Sequence, residues 1–164
     1  MYKQLTRHFI FAGFIILALG LASCLMAGCS GSSSSDPDEN LVAQSEPANG
    51  TVLNGTSAGE SAVEVTAAPG ESAYVKVKSL SGGTVVGFYV RAGATSGAYV
   101  PAGTYSVQFA TGETWYGTSD RFGSRTLYGQ DENLTLDSGS IVTYKLQRST
   151  SGNFSMDPLD GSNF

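Results

Sequence analysis

The sequence predicts an all-β fold, a single small antiparallel β-sandwich set behind a signal segment and a disordered tether. Three observations predict it. Apolar and polar residues alternate in short runs between residues 73 and 146, the period of a strand with one buried face. Turn-forming residues such as Ser81-Gly82-Gly83 and Pro101-Ala102-Gly103 separate those runs, as in sandwiches built from many short strands. No run after residue 30 carries a convincing helical period.

Taken in chain order, the first element is an export signal. Met1 to His8 carries Lys3 and Arg7, Phe9 to Leu21 is almost entirely apolar, and small residues follow. Leu21-Ala22-Ser23-Cys24 and Met26-Ala27-Gly28-Cys29 resemble the short box that ends a bacterial lipoprotein leader. That resemblance implies cleavage before the cysteine and a diacylglyceryl thioether on its sulfur. Cys24 matches the box at every position. Cys29 has an unusual Met ahead of it, but Gly28 fits and a serine-rich start follows. Cys29 is preferred and Cys24 is the alternative. A plain membrane anchor is the competing reading, since Phe9 to Ala27 is nineteen residues, against the roughly 20 that span a bilayer. Both readings place the remaining chain outside the cytosol, attached to the cell membrane or outer membrane.

Residues 1–28 are thus the expected signal peptide, 29–59 the tether and 60–164 the folded domain. The tether is dominated by Ser, Gly, Asn, Asp and Pro and offers too little apolar surface to offset the entropy of ordering. Asp36-Pro37-Asp38-Glu39-Asn40 imitates the start of a calcium loop, but Leu41 stands where Gly is required. Counting excludes whole classes of chemistry. The only His is His8, and both cysteines flank the leader, so the exported body has neither imidazole nor thiol. Of nine basic residues Lys3 and Arg7 leave with the leader, so seven face fourteen acids, a formal charge of −7. Such a domain has no footprint for nucleic acid. No cofactor and no metal site is expected.

In the domain, Ala73, Val75 and Val77 face one way and Tyr74, Lys76 and Lys78 the other. Val86, Phe88 and Val90 share the next face, then Tyr105, Val107 and Phe109. Leu134 and Leu136 mark a short strand, Val142, Tyr144 and Leu146 a clearer one, and Asn153 to Met156 a final edge.

Val100-Pro101-Ala102-Gly103-Thr104-Tyr105-Ser106-Val107 resembles the turn and strand of transthyretin-like and adhesin-like sandwiches. A longer series runs through Tyr74 to Val77, Phe88 to Arg91, Ala110 to Gly117, Phe122-Gly123, Thr126, Tyr128, Gly152-Asn153 and Phe164. It is similar to a small β domain that recurs in varied bacterial proteins, over about residues 65–164. The resemblance implies the fold and transfers no activity. The adhesin-like motif also implies a possible Lys-to-Asn bond across the core, for which Lys76 or Lys78 with Asn133 or Asn153 are the sensible pairs. Outward alternation of both lysines favours ordinary solvated side chains.

Nine of the thirteen aromatics after residue 30 fall between Phe88 and Tyr128. Trp115, Tyr116, Arg121 and Phe122 form the expected contact patch, because rigid aromatic area beside polar groups suits a protein or glycan partner. Burial is nevertheless the favoured reading of the rings: Trp115 and Phe122 plug the end of the sandwich while Arg121 pairs with Asp120, because a lone Trp is usually largely buried. Asp131 and Glu132 are adjacent and point to opposite faces of a strand; Glu113 and Asp120 could approach across the aromatic loop as a glycosidase pair, but nothing suggests a cleft to raise one of their pKa values. The expectation is therefore a membrane-anchored, non-catalytic interaction or accessory module at the cell envelope. A carbohydrate-binding module using the loop around Trp115 is the alternative, and a hydrolase comes third.

Overall fold

The computed structural model describes residues 4–12, 37–149 and 159–164. Among the described residues nine strands form two facing sheets. In chain order they are β1 (Gln4–Ala12), β2 (Val52–Gly55), β3 (Ser61–Thr66), β4 (Ser72–Ser79), β5 (Thr84–Val90), β6 (Thr95–Val100), β7 (Gly103–Gly112), β8 (Leu127–Leu136) and β9 (Ile141–Ser149). One sheet has the order β1-β9-β3-β6, the other β2-β5-β4-β7-β8. The all-β expectation holds. Among the described residues no helix is long and apolar enough to cross a membrane.

The alternation read from the sequence becomes the inner faces of the sandwich. Val75 lies between Phe88 on β5 and Phe109 on β7, and all three are fully buried. Opposite them Val63 pairs with Val142 and Val65 with Tyr144, within the same core. Tyr105 begins the core-facing run of β7, and its hydroxyl donates to the Pro101 carbonyl at 2.9 Å. That bond closes the turn into β7 in the manner of a tyrosine corner. A register shift between Tyr105 and Val107 turns Asp131 of β8 to meet the Tyr144 hydroxyl, which donates to it at 2.9 Å.

Three findings differ from expectation. The sandwich is not wholly antiparallel: β9 runs parallel to β3. Much of the other sheet lies between them in sequence, so no tight hairpin forces them to oppose. Strands β2, β3 and β6 carry too few alternating apolar residues to announce themselves. Lastly, the span expected to be a tether packs against the domain over residues 37–59. Gln44 donates its N–H to the Trp115 carbonyl at 2.8 Å, Gly50 to Tyr89 at 2.8 Å and Thr56 to Val85 at 3.0 Å. Arg91 donates to the Pro47 carbonyl at 2.9 Å and the Glu46 carbonyl at 3.1 Å. Composition concealed this because the contacts are mostly main-chain, with Leu53 the apolar residue packed inward. The rest of that span, 29–36, lies outside the described residues, as do Cys24, Cys29 and Asn153.

Candidate functional site

The loop from Gly112 to Thr126 crosses the outer face of the five-stranded sheet and buries that face too. Tyr74, Tyr89, Ala110, Trp115, Phe122 and Phe164 form a second apolar cluster, with Leu53, Tyr128 and Leu159 at its rim. Trp115 is central. Its ring meets Tyr89 edge-on at 5.1 Å, Phe122 at 5.3 Å and Tyr74 at 6.0 Å between centroids, the edge-to-face geometry that aromatic quadrupoles favour. Strands buried on both faces read as apolar runs, which explains Phe88-Tyr89-Val90.

This corrects the expected contact patch. Trp115 is 4% exposed and Phe122 2%, so neither ring is a docking surface. Phe122 packs so closely on the backbone that a Cβ at Gly112 would lie 2.3 Å from the Cβ of Phe122. Tyr116 and Arg121 remain half-buried. Arg121 holds a left-handed φ of 55°, and its guanidinium does not take the expected partner Asp120. It donates to the Tyr128 hydroxyl at 3.1 Å and the Phe164 carbonyl at 3.3 Å, stacked over both rings.

The loop is pinned at several points. Tyr116 and Arg121 close a tight turn, with Tyr116 N–H donating to the Arg121 carbonyl and Arg121 N–H to Gly117, both at 2.7 Å. Gln44 donates its side-chain amide to the Tyr116 carbonyl at 3.0 Å. Asp38, in the stretch that imitates a calcium loop, accepts from the Ser124 N–H at 2.8 Å and hydroxyl at 2.9 Å. Glu46 accepts from Ser72 at 2.9 Å and Tyr89 at 3.1 Å. Burial pushes the Tyr89 phenol well above its ordinary value, and the neighbouring Glu46 charge adds to the rise. Burial also raises Tyr74. Neither Asp38 nor Glu46 carried a sequence signal for this role.

Lys76 is the most perturbed cation. Its ammonium sits 4.3 Å from the Phe164 ring centre and 5.2 Å from that of Tyr74. Burial, then the charges of Arg121 and Lys78, lower its pKa to about 8. Lys78 donates to the Asn163 carbonyl at 3.3 Å. The two lysines therefore hold residues 159–164 against the sheet, a role that outward alternation alone did not show. Asn133 shares a shallow depression with Lys78.

The open part of the loop borders a depression of about 350 Å³, lined by Asp38, Glu71, Glu113, Thr114, Tyr116 and Arg125 among others. Glu113 therefore lies with Asp38 and Glu71 rather than with Asp120. Among the described residues no group of His, Cys, Asp and Glu is placed to hold a metal ion. Comparison with family models, curated proteins and solved structures gave no match in any of the three.

Proposed function

We propose that this is an exported, lipid-anchored protein whose sandwich serves as a non-catalytic interaction or accessory module at the cell envelope. The observation that carries the reading is the leader: a basic start, the apolar run Phe9 to Leu21, and two cysteines each preceded by small residues. The acidic body supports it, since it lacks the charge for nucleic acid or anionic headgroups, so the membrane is reached through acyl chains, each buried methylene adding about 0.8 kcal/mol. The similarity to a recurring bacterial β domain fits the same picture. Growth of the native host with a labelled fatty acid should label the chain. Cys29→Ala should remove the label if Cys29 carries it, and Cys24→Ala if Cys24 does. An unlabelled wild-type chain, or label surviving the double substitution, contradicts the reading.

A glycan-binding reading has one observation of its own. Tyr116 is half-exposed beside the polar groups of Asp38, Glu113 and Arg125, a ring-plus-hydrogen-bond arrangement suited to a sugar. With Trp115 buried, Tyr116 takes its place as the stacking ring. Glycan-array binding that disappears with Tyr116→Ala supports this reading, and an array without signals leaves a protein partner.

A further inference from the structure

The four-stranded sheet ends on one side at β1, and β1 lies wholly within the leader. Gln4–Ala12 pairs in parallel with Ile141–Ser149 along all nine positions, from Gln4 opposite Ile141 to Ala12 opposite Ser149. On its other side β9 pairs with β3 only from Ile141 to Lys145. Removal of the leader therefore frees one whole edge of β9, and leaves Leu146 to Ser149 with no ladder partner among the described residues on either side.

Sheet edges are normally guarded by short length, proline, bulges or charge, and the other edges of this molecule are. Strand β2 has four residues and a register shift. Strand β6 has six and is followed at once by Pro101. Strand β8 is bulged and carries Asp131 and Glu132. Strand β9 has nine residues, no Pro or Gly, and an unbroken register with both neighbours. Charge, from Lys145 and Arg148, is the one guard it has, with neither short length nor proline nor bulge beside it.

We propose that the β9 edge of the mature protein is a strand-addition site for an extended segment of a partner protein, laid parallel to Ile141–Ser149. The inference rests on the export reading, because the edge is free only when residues 4–12 are gone. A parallel neighbour cannot arrive by a tight hairpin. Within this sequence Ser30 to Pro37 holds only Ser, Gly, Asp and Pro, and residues 150–158 follow directly from β9, so neither stretch suits a parallel strand there. The register states its chemistry. Positions 5, 7 and 9 of the leader stand opposite Val142, Tyr144 and Leu146, which belong to the core, so a partner strand is apolar at those three alternate places. Arg7 breaks that pattern, and His8 stands opposite Lys145. A partner fits better with an aliphatic residue and an acid at those places.

The test uses the mature lipoprotein in detergent micelles, with a fluorescently labelled peptide of the sequence Gln4 to Ala12 as probe. Saturable binding is expected, and about tenfold tighter binding for the peptide carrying Arg7→Leu and His8→Asp. Alternate N–H groups of a strand face one neighbour, so N-methylation of alternate residues should abolish binding in one frame and spare it in the other. Hydrogen exchange should slow in Ile141–Ser149 and not in Thr95–Val100 or Leu127–Leu136. Absence of saturable binding, equal effects of the two methylation frames, or protection at β6 or β8 overturns the proposal. The mass of the purified chain separates the two claims. A chain still carrying residues 4–12 refutes the export reading, whereas a mature chain that ignores the peptide refutes the strand-addition site alone.

Discussion

Trp115 touches Tyr74, Tyr89 and Phe122 and sits under residues that arrive from three distant parts of the chain. Trp115→Ala should therefore cost about 3–5 kcal/mol in urea unfolding, the range for emptying a buried aromatic site. Tyr116→Ala, next in sequence but half-exposed, should cost about 1 kcal/mol or less. Similar small losses for both would return Trp115 to the surface. Lys76 makes a second prediction at this scale. Its folded pKa of about 8 lies below the ordinary 10.5, so above pH 8 the unfolded chain binds more protons and stability rises with pH. The gain is complete above the unfolded value and is lost as pH falls through about 8. Tyr74 and Tyr89 act oppositely, because their raised folded values make stability fall once the unfolded phenols ionise near pH 10. Urea midpoints should therefore climb between pH 8 and pH 10, and Lys76→Met should flatten the climb. A midpoint that falls across that window contradicts the placement of Lys76 under Phe164.

The boundary of the folded unit is the question at the scale of elements. Residues 37–59 satisfy main-chain groups of Trp115 and Tyr89, place Glu46 on Ser72 and Tyr89, and hold Ser124 through Asp38. A chain beginning at residue 60 would leave several of these groups without partners, at about 1–3 kcal/mol for each one that stays buried. It should be at least about 3 kcal/mol less stable in urea than a chain beginning at residue 37. Equal midpoints would restore the tether reading for this segment. Strands β4, β5, β7 and β9 were legible because each has one inner face of apolar residues at period two. The face formed by Tyr74, Tyr89 and Ala110 was not, since its cover comes from residues 38–53, 115–122 and 159–164, which no local pattern links. The aromatic richness of the 112–126 loop was legible too, but richness does not say which way a ring points. Lone-Trp burial was the better guide than the contact-patch reading.

For the whole molecule, one sandwich uses its aromatic residues internally and keeps an acidic exterior. Residues 4–12, which the proposed function assigns to a leader, form the last strand of one sheet. That strand was not legible in the sequence, because the apolar residues Phe9 to Ala12 that end it also open the run read as a leader. Under the proposed function the leader is cut away and the new N-terminus is lipidated. The most direct test is the intact mass of the chain extracted from membranes of its native host. The expected mass is that of a chain starting at Cys29, or at Cys24, plus its acyl groups. A full-length mass without lipid would contradict it and leave Phe9 to Ala27 as a plain membrane anchor.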